Sequence, residues 1–290
     1  MGLEKSGFHE MHIIKIGGRV NNSLLIESYK AVLSSIRSTD FILGQDLYSG
    51  VFLSKPFEHY EASKKKVMVV GRETAGWNTA GWNTETKKNT ISAIVKANEE
   101  GDLQDVIDES LFRYSWHLRD HPDGPVRTKS KSTFQRFYLK VAKSLELDPH
   151  ALIYQNLYAW DFNGRSPLSR KDSEFKFIQR CSAELLAASI KYNRPDAIIF
   201  AVGCTTANDQ TIKMVCKLLA GDNHGGGEST DLVDYKNYET KELVKRRYWH
   251  FQSDGIDCIR ISHPRPQGGE FEKYRTKAIN TLVEKFSSRS

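Results

Sequence analysis

Three polar residues, Glu73, Asn156 and His263, stand within two residues of the end of a short apolar run. A carboxylate can position a water molecule or stabilise a developing cation, and an imidazole can donate a hydrogen bond to a developing anion. A carboxamide can recognise the edge of a base. Each residue alone is more often structural, in a turn or in the core, so their importance depends on whether the fold brings them together.

Alternating apolar runs and amphipathic segments predict an α/β fold. Strands are expected at 66–71, 151–155, 197–203, 248–252 and 256–262. Helices are expected at 22–37, 86–113, 133–146, 173–191, from 206 to about 220 and at 270–286, with Thr205 or Thr206 as a cap. Strands separated by helices favour a parallel sheet whose ligand crevice lies at the carboxyl ends of the strands. The segments that carry Glu73, Asn156 and His263 are expected at that edge.

The segment after the first strand is unusual in composition. Gly71 lets the backbone approach a ligand closely, and the phrase Ala-Gly-Trp-Asn-Thr occurs at 75–79 and again at 80–84. Trp77 and, after the second strand, Tyr158 supply aromatic surfaces on which a base could stack. An aromatic cluster is more often core, so this interpretation depends on its neighbours.

The charge balance points to an anionic partner. The chain of 290 residues has a net charge of +6, a pI of about 9.0 and 39% hydrophobic residues, as in an ordinary globular protein. Basic clusters with aromatic residues among them fit a nucleic-acid groove. One cluster comprises Lys245, Arg246 and Arg247, and another runs from Arg260 to Lys277.

Other features bear on location and on metals. No apolar run is long enough for a membrane span and the N-terminus has no apolar secretion signal, so a cytoplasmic protein is expected. The four cysteines form no Cys-x-x-Cys pair, which gives a zinc or iron–sulfur site little support. No metal, organic cofactor or protein partner is predicted.

The order of these motifs resembles the uracil-DNA glycosylase superfamily. The resemblance covers residues 60 to 285 and consists of an acidic Gly-x-Glu motif at Glu73, a strand that ends in Asn156 and a His-Pro motif at His263. It implies a three-layer α/β/α sandwich with a central, mainly parallel four-stranded sheet in residues 61–290. Residues 1–60 would form a helical lead-in packed on that core.

The resemblance also implies roles for individual residues. Glu73 would position water and stabilise an oxocarbenium-like transition state, while His263 would hydrogen-bond the departing base. The base would be bound by residues near the first two strands, and the DNA by basic and polar residues. The base-binding set is Gly71, Arg72, Trp77, Asn78, Asn156 and Tyr158, and the DNA-binding set is Lys245, Arg246, Arg247, Arg265 and Gln267.

Departures from the superfamily pattern affect the expected substrate. The first motif lacks the Pro-Tyr of uracil-specific members, and Arg265 stands where the second motif usually has Ser. Small residues in the first motif would leave room for a group at C5 of the pyrimidine. A bulky modified cytosine such as glucosylated hydroxymethylcytosine of phage DNA is the expected substrate, and a role in defence follows.

Several alternatives remain open. The segment GQDLYSG at 44–50 also resembles the first motif, in which case Asp46 would replace Glu73. The protein could instead be a uracil-DNA glycosylase of base-excision repair, a non-catalytic nucleic-acid-binding module, or a hydrolase of free nucleotides. The last alternative lacks the Lys-Ser/Thr ending of a P-loop.

Overall fold

A computed structural model describes residues 22–41, 47–74, 89–120, 124–170, 172–221, 247–265 and 268–288. In chain order the elements are α1 (Ser23–Leu33), α2 (Glu58–Ala62), β1 (Val67–Gly71), α3 (Ile91–Glu100), α4 (Gln104–Tyr114), α5 (Thr133–Ser144), β2 (Leu152–Asn156), α6 (Asp172–Asn193), β3 (Ala197–Phe200), α7 (Thr206–Ala220), β4 (Tyr248–Ser253), β5 (Ile256–Ile261) and α8 (Gly269–Ser287).

The strands form one mostly parallel sheet in the order β2-β1-β3-β5-β4. Parallel pairing joins β2, β1, β3 and β5, with Gly71 opposite Asn156 and Phe200 opposite Arg260. Strand β4 pairs antiparallel with β5 through the tight turn at Asp254 and Gly255, where both residues have positive φ. The sheet therefore has the five strands expected from the apolar runs, one more than the four that the resemblance implies, because the β4–β5 hairpin adds an antiparallel strand at its edge.

Helices cover both faces of the sheet, as the alternation of buried residues along β1 shows. Met68 and Val70 pack in one buried cluster with residues of α6 and α7. Val67 and Val69 pack in another with residues of α5 and α8. Since successive strand residues point to opposite faces, these helix pairs lie on opposite sides of the sheet. The layered α/β architecture expected from the sequence is present.

A third buried cluster lies on the outer side of α6. Leu25, Tyr29 and Leu33 of α1 pack there with Ile178 and Cys181 of α6, together with apolar residues of α3 and α4. The helix expected at 22–37 ends at Leu33. The division of the chain at residue 60 stays a prediction.

The largest local difference from the sequence-based expectation lies between residues 86 and 113. The expected single helical stretch is two helices, α3 and α4, and residues 86–88 lie outside the described residues. Helix α3 ends at Gly101, which takes the left-handed conformation (φ 80°) that glycine adopts without steric cost. Thr205 caps α7 by accepting a hydrogen bond from the Asn208 N–H, which confirms one of the two expected caps. Within the described ranges, no helix has the length and apolar content to cross a bilayer.

Candidate active site

A cavity of about 300 Å³ opens at the carboxyl ends of the parallel strands. Its walls come from the segment after β1, the turn after α4, the start of α5, strand β2 and the segment after β5. The two residues expected to be catalytic, Glu73 and His263, both line it. They reach one cavity although 190 residues separate them in the chain, since both follow strands of the same parallel sheet.

Glu73 lies beside Arg72 in a bidentate ion pair. The Arg72 Nη2 donates to Glu73 Oε1 at 2.7 Å, and Arg72 Nε donates to the other carboxylate oxygen. The Glu73 side chain is only 5% exposed, whereas that of Arg72 is 23% exposed. The hydrogen bond to Glu73 raises the pKa of Arg72 above its ordinary value. The pair places the Glu73 carboxyl group at the cavity wall in a fixed orientation, with the guanidinium nearer to solvent.

Gly71 lets the backbone of β1 pack closely against its neighbours. A methyl group at this position would lie 2.8 Å from Asn156 Oδ1 and 3.1 Å from the Phe134 ring. The backbone ladder continues beyond the strands, because Leu157 N–H donates to the Gly71 carbonyl at 2.8 Å. The carboxyl ends of β1 and β2 are therefore held together beside the cavity.

Asn156 lies against two residues of the cavity wall, Gly71 and Tyr154. Its Oδ1 accepts a hydrogen bond from the Tyr154 hydroxyl at 2.9 Å. Its Nδ2 is buried and has no hydrogen-bond partner in the described part of the chain. A buried amide N–H without an acceptor costs free energy, about 1–3 kcal/mol. Asn156 is buried and does not itself line the cavity, so its free donor lies behind the wall formed by Gly71 and Tyr154, and its predicted contact with a base stays a prediction.

His263 is neutral at physiological pH. Burial, together with the smaller effect of the nearby positive charges of Arg72 and Arg265, lowers its pKa from the ordinary value to about 4. The Arg265 backbone N–H donates to His263 Nδ1 at 3.0 Å, so in the neutral ring the proton is on Nε2. His263 is therefore set up to donate one hydrogen bond from Nε2 without carrying a positive charge.

The aromatic wall of the cavity comes from residues that the sequence analysis did not select. Phe134 of α5 packs at 5.0 Å, centroid to centroid, from Tyr154 of β2. Trp116 and His117, in the turn after α4, complete this side, and His117 stacks on Tyr154 at 4.8 Å. Burial lowers the pKa of His117 to about 3. The dense aromatic and basic composition of 112–118, FRYSWHL, was the available signal.

Tyr158 does not line the cavity, and the stacking surface expected there needs correction. Its ring is fully buried, and its hydroxyl donates to Asn208 Oδ1 at 3.0 Å. Trp160 is also fully buried, and Arg170 covers the Phe162 ring at 4.0 Å. Tyr158 and Trp160 belong to the packed interior, in two of the buried clusters, and Phe162 packs partly buried against the cluster that contains Trp160. Thr74, whose hydroxyl donates to the buried Asp161, ties that segment to the first motif.

Of the remaining predicted residues, Arg265 and Arg247 are described by the structure and the others are not. Arg265 is exposed and lines the cavity, whereas Arg247 lies outside it, 3.8 Å from the Glu270 carboxylate and 4.7 Å from the Phe271 ring centroid. The others lie outside the described residues: Trp77, Asn78, Lys245, Arg246, Gln267 and the alternative acid Asp46.

A second groove of about 410 Å³ adjoins the cavity. Thr133 lines both, and Pro264 of the groove stands between His263 and Arg265 of the cavity. We call it the α5–α8 groove, since it lies between the first turns of these helices. Its walls are Thr133, Arg136, Phe137, Lys140, Pro264, Gly268, Gly269, Glu272 and Arg275.

The α5–α8 groove is basic. Glu272 neutralises part of its charge, with its carboxylate 2.6 Å from Lys140 Nζ and 3.0 Å from Arg275 Nε. Arg136 is exposed and has no acidic partner among the residues that the structure describes. Helix N-termini add partial positive charge through their free N–H groups. The groove can therefore hold an anion next to the cavity.

In the described part of the chain, one group of side chains could hold a metal ion, namely His59, Asp148 and His150. It does not line the cavity. The described lining of the cavity brings together a carboxyl group, a neutral imidazole, arginines and aromatic rings. Comparisons of the sequence with protein-family models and with curated proteins find no match.

Proposed function

We propose that this protein is a DNA glycosylase of the uracil-DNA glycosylase superfamily. The proposed reaction is hydrolysis of the N-glycosidic bond of a flipped pyrimidine, which leaves an abasic site. The observation that carries the proposal is that one cavity contains both Glu73 and a neutral His263 with its proton on Nε2.

The two residues fit opposite ends of the bond that breaks. As the bond lengthens, positive charge develops on the deoxyribose and negative charge on the base. The Glu73 carboxylate stabilises the cation and orients water for attack on the sugar carbon, while the His263 Nε2–H donates to the base anion. A neutral imidazole suits this second role, because it stabilises the anion without transferring a proton to it.

Other contacts support a nucleobase as the ligand. A volume of about 300 Å³ is at the lower end of the range for ligand pockets and suits one base, so a bulky group at C5 would extend beside the cavity rather than into it. Phe134 and Trp116 line the cavity and offer surfaces on which a base could stack. The α5–α8 groove supports binding of the DNA backbone, since its Arg136 has no acidic partner among the described residues.

The proposal also extends to the identity of the excised base, which we expect to be modified at C5. Its support is the composition of the first motif, where Ala75, Gly76 and Trp77 stand in place of Pro-Tyr. A group at C5 would have space there, and a defence enzyme must distinguish such a base from ordinary cytosine and thymine. Glucosylated hydroxymethylcytosine of phage DNA is therefore the proposed substrate, with anti-phage defence as the role.

The direct test is digestion of uracil-containing DNA and glucosylated phage DNA side by side, with abasic sites as the readout. We expect release from the glucosylated DNA. The Glu73→Gln variant should lose about 10²- to 10³-fold in rate while it still binds DNA. Glu184→Gln is the matched control, since it alters a carboxylate beside Arg180 on the outside of α6. Release from uracil DNA alone would instead indicate a repair enzyme.

One observation favours a second candidate, a nucleic-acid-binding module without catalysis. Arg72 occupies both carboxylate oxygens of Glu73, an arrangement that would also hold the guanidinium ready to bind a phosphate or a base. In that case Arg72→Ala would abolish DNA binding, and no base would be released from any DNA by the parent protein. Base release that depends on Glu73 contradicts this candidate.

A further inference from the structure

The group formed by His59, Asp148 and His150 lies at the opposite end of β2 from the cavity. Each residue offers one ligand atom, and these atoms all lie within 4.8 Å of one another. His59 belongs to α2, and Asp148 and His150 immediately precede β2. The sequence gives no Cys-x-x-Cys or His-x-x-x-His spacing here, so only the fold brings the three together.

His150 has the arrangement of a metal ligand with a fixed tautomer. Its Nε2 lies 2.9 Å from the His117 carbonyl oxygen, which can only accept, so Nε2 carries the proton and Nδ1 carries the lone pair. A metal-bound histidine almost always donates its other N–H to such an acceptor. The Phe57 ring stacks on His150 at 3.9 Å with the planes 4° apart, which fixes the ring orientation.

The other two ligands are at the surface. His59 and Asp148 are exposed, so an ion can enter from solvent and both side chains can rotate to bonding distance. Asp148 uses Oδ1 to accept the His150 backbone N–H at 2.7 Å, which leaves Oδ2 for an ion. Arg119 Nη2 lies 3.4 Å from His150 Nδ1, so the guanidinium would have to move aside when an ion binds.

We propose that His59, Asp148 and His150 form a surface site for one Zn²⁺ ion. Two imidazoles and one carboxylate are a zinc ligand set, at about 2.0–2.2 Å from the metal, and water completes the tetrahedron. The ion is separate from the proposed glycosidic chemistry. It would instead fix the turn after α4, because His150 holds the carbonyl of His117, a residue of the cavity wall.

The test is calorimetric titration of the untagged, chelator-treated full chain with zinc chloride. We expect one Zn²⁺ per chain, and at least a 10-fold loss of affinity in His59→Ala. This variant is chosen because His59 is exposed, whereas His150 is buried and its replacement would disturb folding. His250→Ala is the matched control, since His250 is an exposed histidine of β4, 3.7 Å from Asp257.

Two outcomes would overturn the site. One is the absence of stoichiometric binding by the parent chain. The other is equal affinity in the parent and His59→Ala. A circular dichroism spectrum and a melting curve for each variant ensure that a loss of affinity is not a loss of fold. Because the readout is zinc affinity, failure of the glycosylase proposal leaves this result unaffected.

Discussion

Two arginine–carboxylate pairs at the carboxyl side of the sheet differ in what surrounds them. Arg260 of β5 and Asp209 of α7 are both fully buried, with Nε 3.1 Å from Oδ1, and Arg260 also donates to the Cys204 sulfur at 2.8 Å. Arg72 and Glu73 form a closer, bidentate pair, but it lies in the wall of a cavity.

The difference separates a structural charge from one available for chemistry. The Arg260–Asp209 pair joins α7 to the sheet, and no solvent reaches it. Removal of one partner there leaves an uncompensated buried charge. At the cavity, removal of Glu73 leaves an arginine that can still reach water. We therefore expect that loss of Asp209 mainly reduces stability and that loss of Glu73 mainly reduces activity.

The largest expected effect is on the buried pair. Asp209→Ala should lower the free energy of unfolding by about 3–5 kcal/mol, because Arg260 would stay buried without its counter-ion. Urea denaturation followed by circular dichroism measures this change. Glu184→Gln, which alters a half-exposed pair on α6, should change it by no more than about 1 kcal/mol. A similar loss in both variants would remove the distinction between buried and exposed pairs.

The cavity pair should show the reverse behaviour. Glu73→Gln should cost about 2–4 kcal/mol in transition-state stabilisation, measured from kcat/KM for base release. Its free energy of unfolding should stay within about 1 kcal/mol of the parent value, since Arg72 remains partly hydrated. If the variant instead unfolds like Asp209→Ala, Glu73 is a structural residue and the proposed mechanism is wrong.

A substitution at Gly71 tests whether the close packing of β1 against Asn156 and Phe134 contributes to stability. Gly71→Ala would bring a methyl group to 2.8 Å from Asn156 Oδ1, and we expect a destabilisation of about 1–3 kcal/mol. Gly269→Ala is the control, because an added methyl group at this helical position meets no atom within 4 Å. Equal unfolding free energies for the two variants would show that the close approach at Gly71 is unimportant.

The pKa of His263 gives a pH-dependent prediction. Since the folded-state pKa of about 4 is below the unfolded value, its contribution to stability is complete above about pH 6.5 and declines as the pH falls towards 4. The slope from this residue is at most about 1.4 kcal/mol per pH unit. His263→Gln should reduce the decline, as measured by urea denaturation between pH 4 and 7.

Activity should respond differently to pH. Because His263 acts in its neutral form, kcat/KM for base release should show no loss from its protonation between pH 6 and 8. An acid limb near pH 6.5 that disappears in His263→Gln would contradict the neutral, buried state of this histidine.

The smallest expected effect concerns the α5–α8 groove. Arg136→Ala should weaken DNA binding and reduce the slope of log K against log salt by about 1, because one phosphate contact is lost. Lys191→Ala, an exposed lysine at the end of α6, is the matched control. Fluorescence anisotropy at several salt concentrations measures both slopes, and equal slopes would exclude Arg136 from the DNA path.

The sequence by itself determined the order of the elements and the edge of the sheet at which polar residues gather. Apolar runs such as 67–71 have no stable place outside a buried strand, and strands that alternate with helices pair in parallel. For this reason Glu73 and His263 could be assigned to one edge before their positions were known. The hairpin at Asp254 and Gly255 could also be predicted, because its turn residues are local signals.

Only the tertiary structure decided which side chains face the cavity. Tyr158 lies in the core and Phe134 at the cavity, although both are aromatic residues near predicted motifs. The direction of a side chain beyond a strand end depends on packing against elements far away in sequence, here α5, α7 and the turn after α4. Local periodicity carries no information on those contacts. The same reason explains why the His59, Asp148 and His150 group is visible only after folding.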